Sequence, residues 1–391
     1  MFTLGDPAGV GPEIVARYLS EEFDYTAAIP VVVGDYDIFM MAHTQFDLKR
    51  PIARLAKGDA TLLFKRGEND SDIRLQAATL RDQVANAAAD SIRVVDIDNL
   101  LANDLKKAQV QTEAGRSAGI AIDVAIQAAR LGAVDAVVTA PIHKVSFRAA
   151  GYTQYPGHTE MFGEQLTEGG PYCMMLVCGG FSVCHVSLHT ALRDAIDKDI
   201  KQDRILDVIK LAHEHGKRLG AISTDSSCKQ GTGKGPVPRH IVSPRTVPAD
   251  CVQSSSPKIG VCALNPHGGE GGLFGREEID EIMPAVEAAQ AEGINVTGPL
   301  PSDTVFIKAK AGMFDYVIAM YHDQGHIAAK MEGFFVDEQG NWTVEGINVT
   351  VGLPIIRTSV DHGTAFDIAW QGIASTASLH DATRYALDMI K

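Results

Sequence analysis

Four histidines stand where the chain leaves an apolar run or enters a glycine-rich turn. His158 lies in Pro156-Gly157-His158-Thr159-Glu160 and His189 two residues past Ser187; His267 lies in Asn265-Pro266-His267-Gly268-Gly269-Glu270 and His322 two residues past Met320. Imidazoles carry protons and bind metals, and three of them with open positions suit a catalytic divalent ion. Their separations are too large for spacing alone to bring them together. Charged residues recur in the same places: Lys144 after the run ending at Thr139, Asp303 in Pro301-Ser302-Asp303-Thr304, Lys330 two helical turns beyond His322, and Arg357 before Thr358-Ser359. Lysine and arginine beside a metal suit an anionic substrate bearing phosphate or carboxylate. Residues 4–13 read as a strand end, a glycine-rich turn and a helix with Pro12 at its first position and Glu13 at its positive end. Such a turn lets a ligand approach the backbone.

The elements that must position these residues follow from pattern. Apolar runs at Ile29–Val33, Ala133–Thr139, Cys173–Cys178, Phe181–Ser187, Ile259–Leu264 and Tyr316–Met320 read as strands. Ala118–Leu131 and Arg276–Ala291 read as helices, the second kinked at Pro284. Alternation of the two predicts α/β layers on a largely parallel sheet. Residues 221–257, rich in Ser, Gly and Pro, predict a long surface loop. Within it Gly231-Thr232-Gly233-Lys234-Gly235 lacks the following helix of a phosphate loop, because Pro236 and Pro238 come next. Phe335–Gly346 predicts a hairpin excursion.

The 391 residues allow two or three domains, and 35 Lys+Arg against 49 Asp+Glu leave a net charge of −14. That charge disfavours nucleic acid, the apolar runs are too short to cross a membrane, and a small metabolite is the expected partner. The six cysteines include no Cys-x-x-Cys pair and the chain opens without a signal-like segment, which predicts a reducing, cytoplasmic setting. Cys173, Cys178, Cys184 and Cys262 are expected to be buried packing residues.

Longer motifs carry a resemblance. Gly5-Asp6-Pro7-Ala8-Gly9-Val10-Gly11-Pro12-Glu13, Thr139–Lys144, Pro156–Glu160, His189 with Leu192-Arg193-Asp194, Leu264–Gly272, Gly298–Thr304, Met320–Gly325 and Gly352–Thr364 together resemble the 4-hydroxythreonine-4-phosphate dehydrogenase family and its close relatives. The resemblance implies two α/β/α domains of the isocitrate and isopropylmalate dehydrogenase type with a cleft between them. One is expected to comprise 1–145 plus 349–391 with the cofactor loop, the other 146–348 with the metal ligands and dimer interface. It implies that His189, His267 and His322 bind a divalent metal, and that His158, Thr159, Lys330, Asn348 and Arg357 contact substrate. It also implies a homodimer with its active site at the interface. His362-Gly363-Thr364-Ala365-Phe366-Asp367 resembles the adenine-binding loop of the decarboxylating dehydrogenases, so Gly9, Gly11, His362, Gly363, Thr364 and Asp367 are the expected cofactor residues. An acidic Asp367 facing the ribose favours NAD over NADP.

The implied reaction oxidises a phosphorylated four-carbon hydroxy acid and then decarboxylates it, with Lys144, Asp303 and Asp323 as candidates for proton transfer. Three imidazoles lean toward zinc or cobalt, with magnesium and manganese open. His326 and Phe366–Trp370 look more like the relatives acting on 4-phospho-D-threonate or 4-phospho-D-erythronate than like the pyridoxine-pathway enzyme. A metal-dependent hydrolase, a dehydrogenase of non-phosphorylated diol acids, and a partner-binding protein without catalysis are the competing classes.

Overall fold

The computed structural model describes residues 1–55, 70–178, 180–225, 256–336, 342–344 and 346–390. The chain divides into two compact units, Met1–Glu168 with Leu353–Ile390, and Gly169–Gly352. Against the expected boundaries at 145/146 and 348/349, the crossings fall at 168/169 and 352/353. Packing explains the first shift. Phe147, Met161, Phe162 and Leu166 share an apolar cluster with Ile122, Ala125 and Ile126 of helix Thr112–Arg130 and with Val33, Val95 and Val137 of the strands.

The first unit holds strands in the order Ile52–Arg54, Ile92–Asp96, Val31–Gly34, Phe2–Thr3, Ala136–Thr139, Ile356–Val360, all parallel. Its short second-position residues matter: Phe2 and Thr3 pair with Val32 and Val33 on one side and with Val138 and Thr139 on the other. In an all-parallel sheet, ligand-binding residues gather at the carboxyl ends of the strands. Thr139 occupies such an end, and the segment after Val360 leaves another.

The second unit orders its strands Ile347–Val351, Cys173–Cys178, Phe181–His185, Tyr316–Ala319, Ile259–Cys262, Val296–Leu300. The first two pairings are antiparallel and the remaining three parallel. Val305, Ala309 and Ala329, from helices Ser302–Lys310 and His322–Gly333, fill a core with Leu176, Val183, Cys262 and Val317. Cys173, Cys178, Cys184 and Cys262 are free and buried, as their apolar settings predict; Cys228 and Cys251 lie outside the described residues.

The helix expected from Ala118 begins six residues earlier, at Thr112. At Pro284 the predicted helix changes its winding. A wide π-type turn, Glu278–Ile282, precedes the α-helix Met283–Ala291, because proline has no N–H to give the carbonyl four residues back. Of the predicted surface loop, residues 221–225 instead continue helix Gln202–Asp225, and the glycine-lysine motif at 231–235 lies outside the described residues. The predicted hairpin exists: Phe334–Val336 pairs antiparallel with Trp342–Val344. Among the described residues no helix is long and apolar enough to cross a membrane.

Candidate functional site

The expected site residues divide between the units. In the first, Arg357 sits mid-strand on Ile356–Val360 and is 2% exposed. Its Nη2 donates to Thr139 Oγ1 at 2.6 Å, and the guanidinium lies 5.5 Å from the Phe162 ring centre. Burial pushes its pKa below the ordinary arginine value while Glu160 pulls it up; it remains a cation at neutral pH. His158 opens helix His158–Leu166 directly after the extended Gly157, with Thr159 buried beside it. The His158 Nε2 is buried with no hydrogen-bond partner among the described residues. Burial first, then the charges of Arg357 and Lys144, hold its pKa well below the usual imidazole value. Lys144 heads helix Lys144–Ala149 with its side chain exposed. Two cations and a neutral imidazole make this a place for an anion.

The segment expected to bind a cofactor is stitched to the glycine-rich turn. Val10 N donates to Thr364 O (3.0 Å) and Trp370 Nε1 to Pro7 O (3.0 Å). The buried Glu13 carboxylate accepts from Gly372 N and Ala374 N, while Arg17 donates to the carbonyls of the same two residues. Gly9 and Gly11, expected among the cofactor contacts, also lie close against the chain itself. A Cβ on Gly9 would come within 2.8 Å of Thr364 Cβ, and one on Gly11 within 2.0 Å of Leu4 O. The two glycines permit close packing of the 364 segment and of the first helix. Thr364 is buried, His362 is half-buried with Nδ1 2.9 Å from Gly363 O, and Gly363 and Asp367 are exposed. A parallel stack of His143 on Phe366, 4.6 Å between ring centres, has no counterpart in the sequence reading.

Asp6, in the same turn, is fully buried and accepts from Ala8 N at 2.8 Å. Burial raises its pKa from 3.8 to about 6. A folded pKa above the unfolded one means that the folded state binds the proton more tightly. Stability from this group is therefore present below pH 3.8 and lost as pH rises to about 6. Asp6→Asn is expected to remove that slope, a contribution of about 3 kcal/mol, in urea unfolding followed from pH 4 to 7.

In the second unit, His322 begins helix His322–Gly333 just after strand Tyr316–Ala319. Its Nδ1 lies 2.7 Å from Asp323 Oδ1. The His189 and His322 ring centres are 5.6 Å apart. Two imidazoles bound tetrahedrally at a metal–nitrogen distance of about 2.1 Å have ring centres roughly 5 Å apart, so this pair fits a shared divalent ion. His267 makes contacts of its own: its Nδ1 lies 3.2 Å from Glu270 Oε1 and its ring packs edge-on to Phe274. It sits in a left-handed run, with φ positive from His267 to Gly272. Among the described residues, no group of three His, Cys, Asp or Glu side chains is placed to hold a metal. The expected triad thus does not assemble within one chain.

Asp303 and Lys330 are exposed, Lys330 on the same helix as His322, and Asn348 is half-buried on Ile347–Val351 with its Oδ1 lacking a hydrogen-bond partner among the described residues. Gln324, which the sequence reading did not single out, joins the loops around them. Its Oε1 accepts from Met320 N (2.6 Å), and its Nε2 donates to Ala263 O (2.8 Å) and Ser302 Oγ (2.9 Å). At about 1 kcal/mol per hydrogen bond, Gln324→Leu is expected to cost roughly 2–3 kcal/mol in urea unfolding. His185 and His326 also lie here, and burial pulls their pKa values to about 3 and about 4. His326 had a legible signal, since a histidine four residues after His322 on a helix shares its face.

The family described as "Pyridoxal phosphate biosynthetic protein PdxA" matches residues 28–225 and 245–386. The 4-hydroxythreonine-4-phosphate dehydrogenase of Beijerinckia indica is 39% identical over 387 residues, covering 98% of this chain and 93% of that protein. The D-threonate 4-phosphate dehydrogenase of Salmonella typhimurium is 37% identical over 389 residues, covering 99% and 97%. The crystal structure of the 4-hydroxythreonine-4-phosphate dehydrogenase from Klebsiella pneumoniae superposes with a TM-score of 0.71 at 35% identity, over 100% of this chain and 98% of that one. With matches of this length and identity on both halves of the chain, the protein belongs to the PdxA family of dehydrogenases.

Proposed function

We propose that the protein is a metal-dependent, NAD-linked dehydrogenase that oxidises a phosphorylated four-carbon hydroxy acid, 4-phosphooxy-L-threonine or 4-phospho-D-threonate/erythronate, with decarboxylation of the product. The observation that carries this reading is the joint occurrence of full-length family membership and the facing imidazoles of His189 and His322. His189, His322 and His267 would hold the metal, zinc or cobalt by the softness of the donors, with magnesium or manganese as alternatives. When bound, the metal supplies Lewis acidity and NAD a hydride acceptor.

The chain's own residues do the rest. Oxidation of a carbinol removes hydride from carbon and a proton from oxygen, so a side chain must take that proton. Lys144, Asp303 and Asp323 are the candidates, and Asp323 is already engaged with His322 Nδ1. Arg357, His158, Thr159, Lys330 and Asn348 would be the residues that contact the substrate, the two cations suiting its anionic groups. His362, Gly363, Thr364 and Asp367 would line the cofactor's adenosine half. Asp367 would accept from both ribose hydroxyls, of which NADP has one blocked. Asp367→Ser is expected to narrow the NAD over NADP ratio of kcat/KM, and a wild-type preference for NADP contradicts the assignment.

A homodimer is part of the reading. Ile327 and Met331, one turn apart on helix His322–Gly333, and Leu273 and Phe274 beside His267 are all exposed. A second copy packed on these side chains would be a source of the third ligand, His267. The free buried thiols are in keeping with a cytoplasmic setting. The test is a panel of four-carbon hydroxy acids, with and without phosphate, in the presence of NAD and each metal. Appearance of reduced nicotinamide only with phosphorylated members supports the reading.

A further inference from the structure

The His322 ring is constrained on more sides than a surface ligand needs. Its Nδ1 is met by Asp323 at 2.7 Å, and one face is covered by His326, whose ring centre lies 3.7 Å away at an interplanar angle of 10°. His326 is itself fixed. Its Nδ1 lies 3.0 Å from the His322 carbonyl, so the imidazole N–H donates back into the first turn of the helix. Behind it stands His185, wholly buried at the end of strand Phe181–His185, with ring centres 4.7 Å apart and its own Nδ1 3.4 Å from Met174 O. Gly325 makes room for this backing ring: a Cβ there would come within 2.3 Å of His185 Nε2. The strand, the helix and three imidazoles thus form one continuous support, and what His322 leaves open is Nε2 and the side toward His189.

We propose that His326 is a positioning residue for His322, its stacked ring holding the His322 plane in the orientation in which Nε2 and His189 share a divalent ion. The inference rests on the metal reading above and adds to it the group that presents the ligand. A ligand whose ring can tilt spends binding energy on being ordered, and outer supports of metal-binding histidines are typically worth about 10–100-fold in metal affinity. The stack calls for a flat ring at 326, and the Nδ1 anchor adds a smaller share.

The test is cobalt(II) titration of metal-stripped full-length protein, read from the visible absorption bands, in wild type and in His326→Phe, His326→Leu and His326→Gln. Unfolding of each metal-stripped variant identifies those that fold. Phe keeps a flat ring and is expected to bind cobalt within about threefold of wild type; Leu and Gln, with none, are expected to bind about 10–100-fold more weakly with altered bands. Cobalt affinity in Leu and Gln equal to that of wild type overturns the positioning role. A loss in Phe as large as in Leu overturns it too, since the effect then belongs to the ring nitrogen. Failure of the wild type to take up cobalt is a separate result, which contradicts the metal reading itself.

Discussion

Arg357→Ala is expected to cost about 3–5 kcal/mol of stability and to lower kcat/KM for the phosphorylated substrate by at least 100-fold. The side chain is 2% exposed, bound to Thr139 Oγ1 at 2.6 Å and packed over Phe162, and Glu160 is the carboxylate acting on it. Truncation removes a buried cation, leaves Thr139 without that donor, and opens a void the size of a guanidinium beside Phe162. The two effects separate in a second variant. Arg357→Lys keeps a positive charge but loses the fork that holds two oxygens at once, so it should recover most of the stability and little of the affinity. Lys330→Ala is the useful contrast. Lys330 is exposed on its helix, so urea unfolding should be unchanged within about 0.5 kcal/mol, while KM rises much more for the phosphorylated compound than for its dephosphorylated analogue. Equal rises for both compounds would remove phosphate from the contacts of Lys330.

His322→Ala is expected to abolish stoichiometric metal and turnover together, and His189→Ala to do the same. The facing rings are 5.6 Å apart, and among the described residues no group of three His, Cys, Asp or Glu side chains is placed to hold a metal in their stead. Metal analysis of the purified variants, with circular dichroism to show that they fold, checks this. His267→Ala should lose metal as well if a second copy supplies that imidazole, and full occupancy in it would restrict the metal site to other ligands. Chelation of the wild type should act like His322→Ala and, unlike it, reverse on adding zinc or cobalt.

How far the sequence led depends on what each residue was paired with. Cys173–Cys178 was legible as a strand because all six of its side chains are buried. Ile92–Asp96 and Ile356–Val360 were not, because each central strand carries an arginine that breaks the apolar run. Arg93 is nonetheless 2% exposed, its guanidinium satisfied by the carbonyls of Val84, Ala87, Ala88 and Ser91. Only the folded partners show that such a charge is affordable in a sheet interior.

The site was legible to the level of residue type and turn. Histidines at strand ends pointed to His189 and His322, which the fold does bring together. The same reasoning could not separate His267 from them, since its place depends on a left-handed run in which both His267 and Glu270 have positive φ. Non-glycine residues adopt that conformation at a cost of about 1 kcal/mol or more each, so nothing in local preference announces it. The glycines at 9 and 11 have a packing role that their pattern did not announce. Their pattern suggested ligand access, and the structure also sets them close against Thr364 and Leu4.

The measurement that bears most directly on the whole account is the formation of reduced nicotinamide by the metal-loaded protein given NAD and 4-phospho-D-threonate, 4-phospho-D-erythronate or 4-phosphooxy-L-threonine. Carbon dioxide and inorganic phosphate are followed in the same reaction. The account predicts reduced nicotinamide and carbon dioxide in equal amounts from at least one of these compounds, no release of phosphate, and loss of the signal on chelation. Release of inorganic phosphate without nicotinamide reduction, or turnover undiminished by chelation, would contradict it.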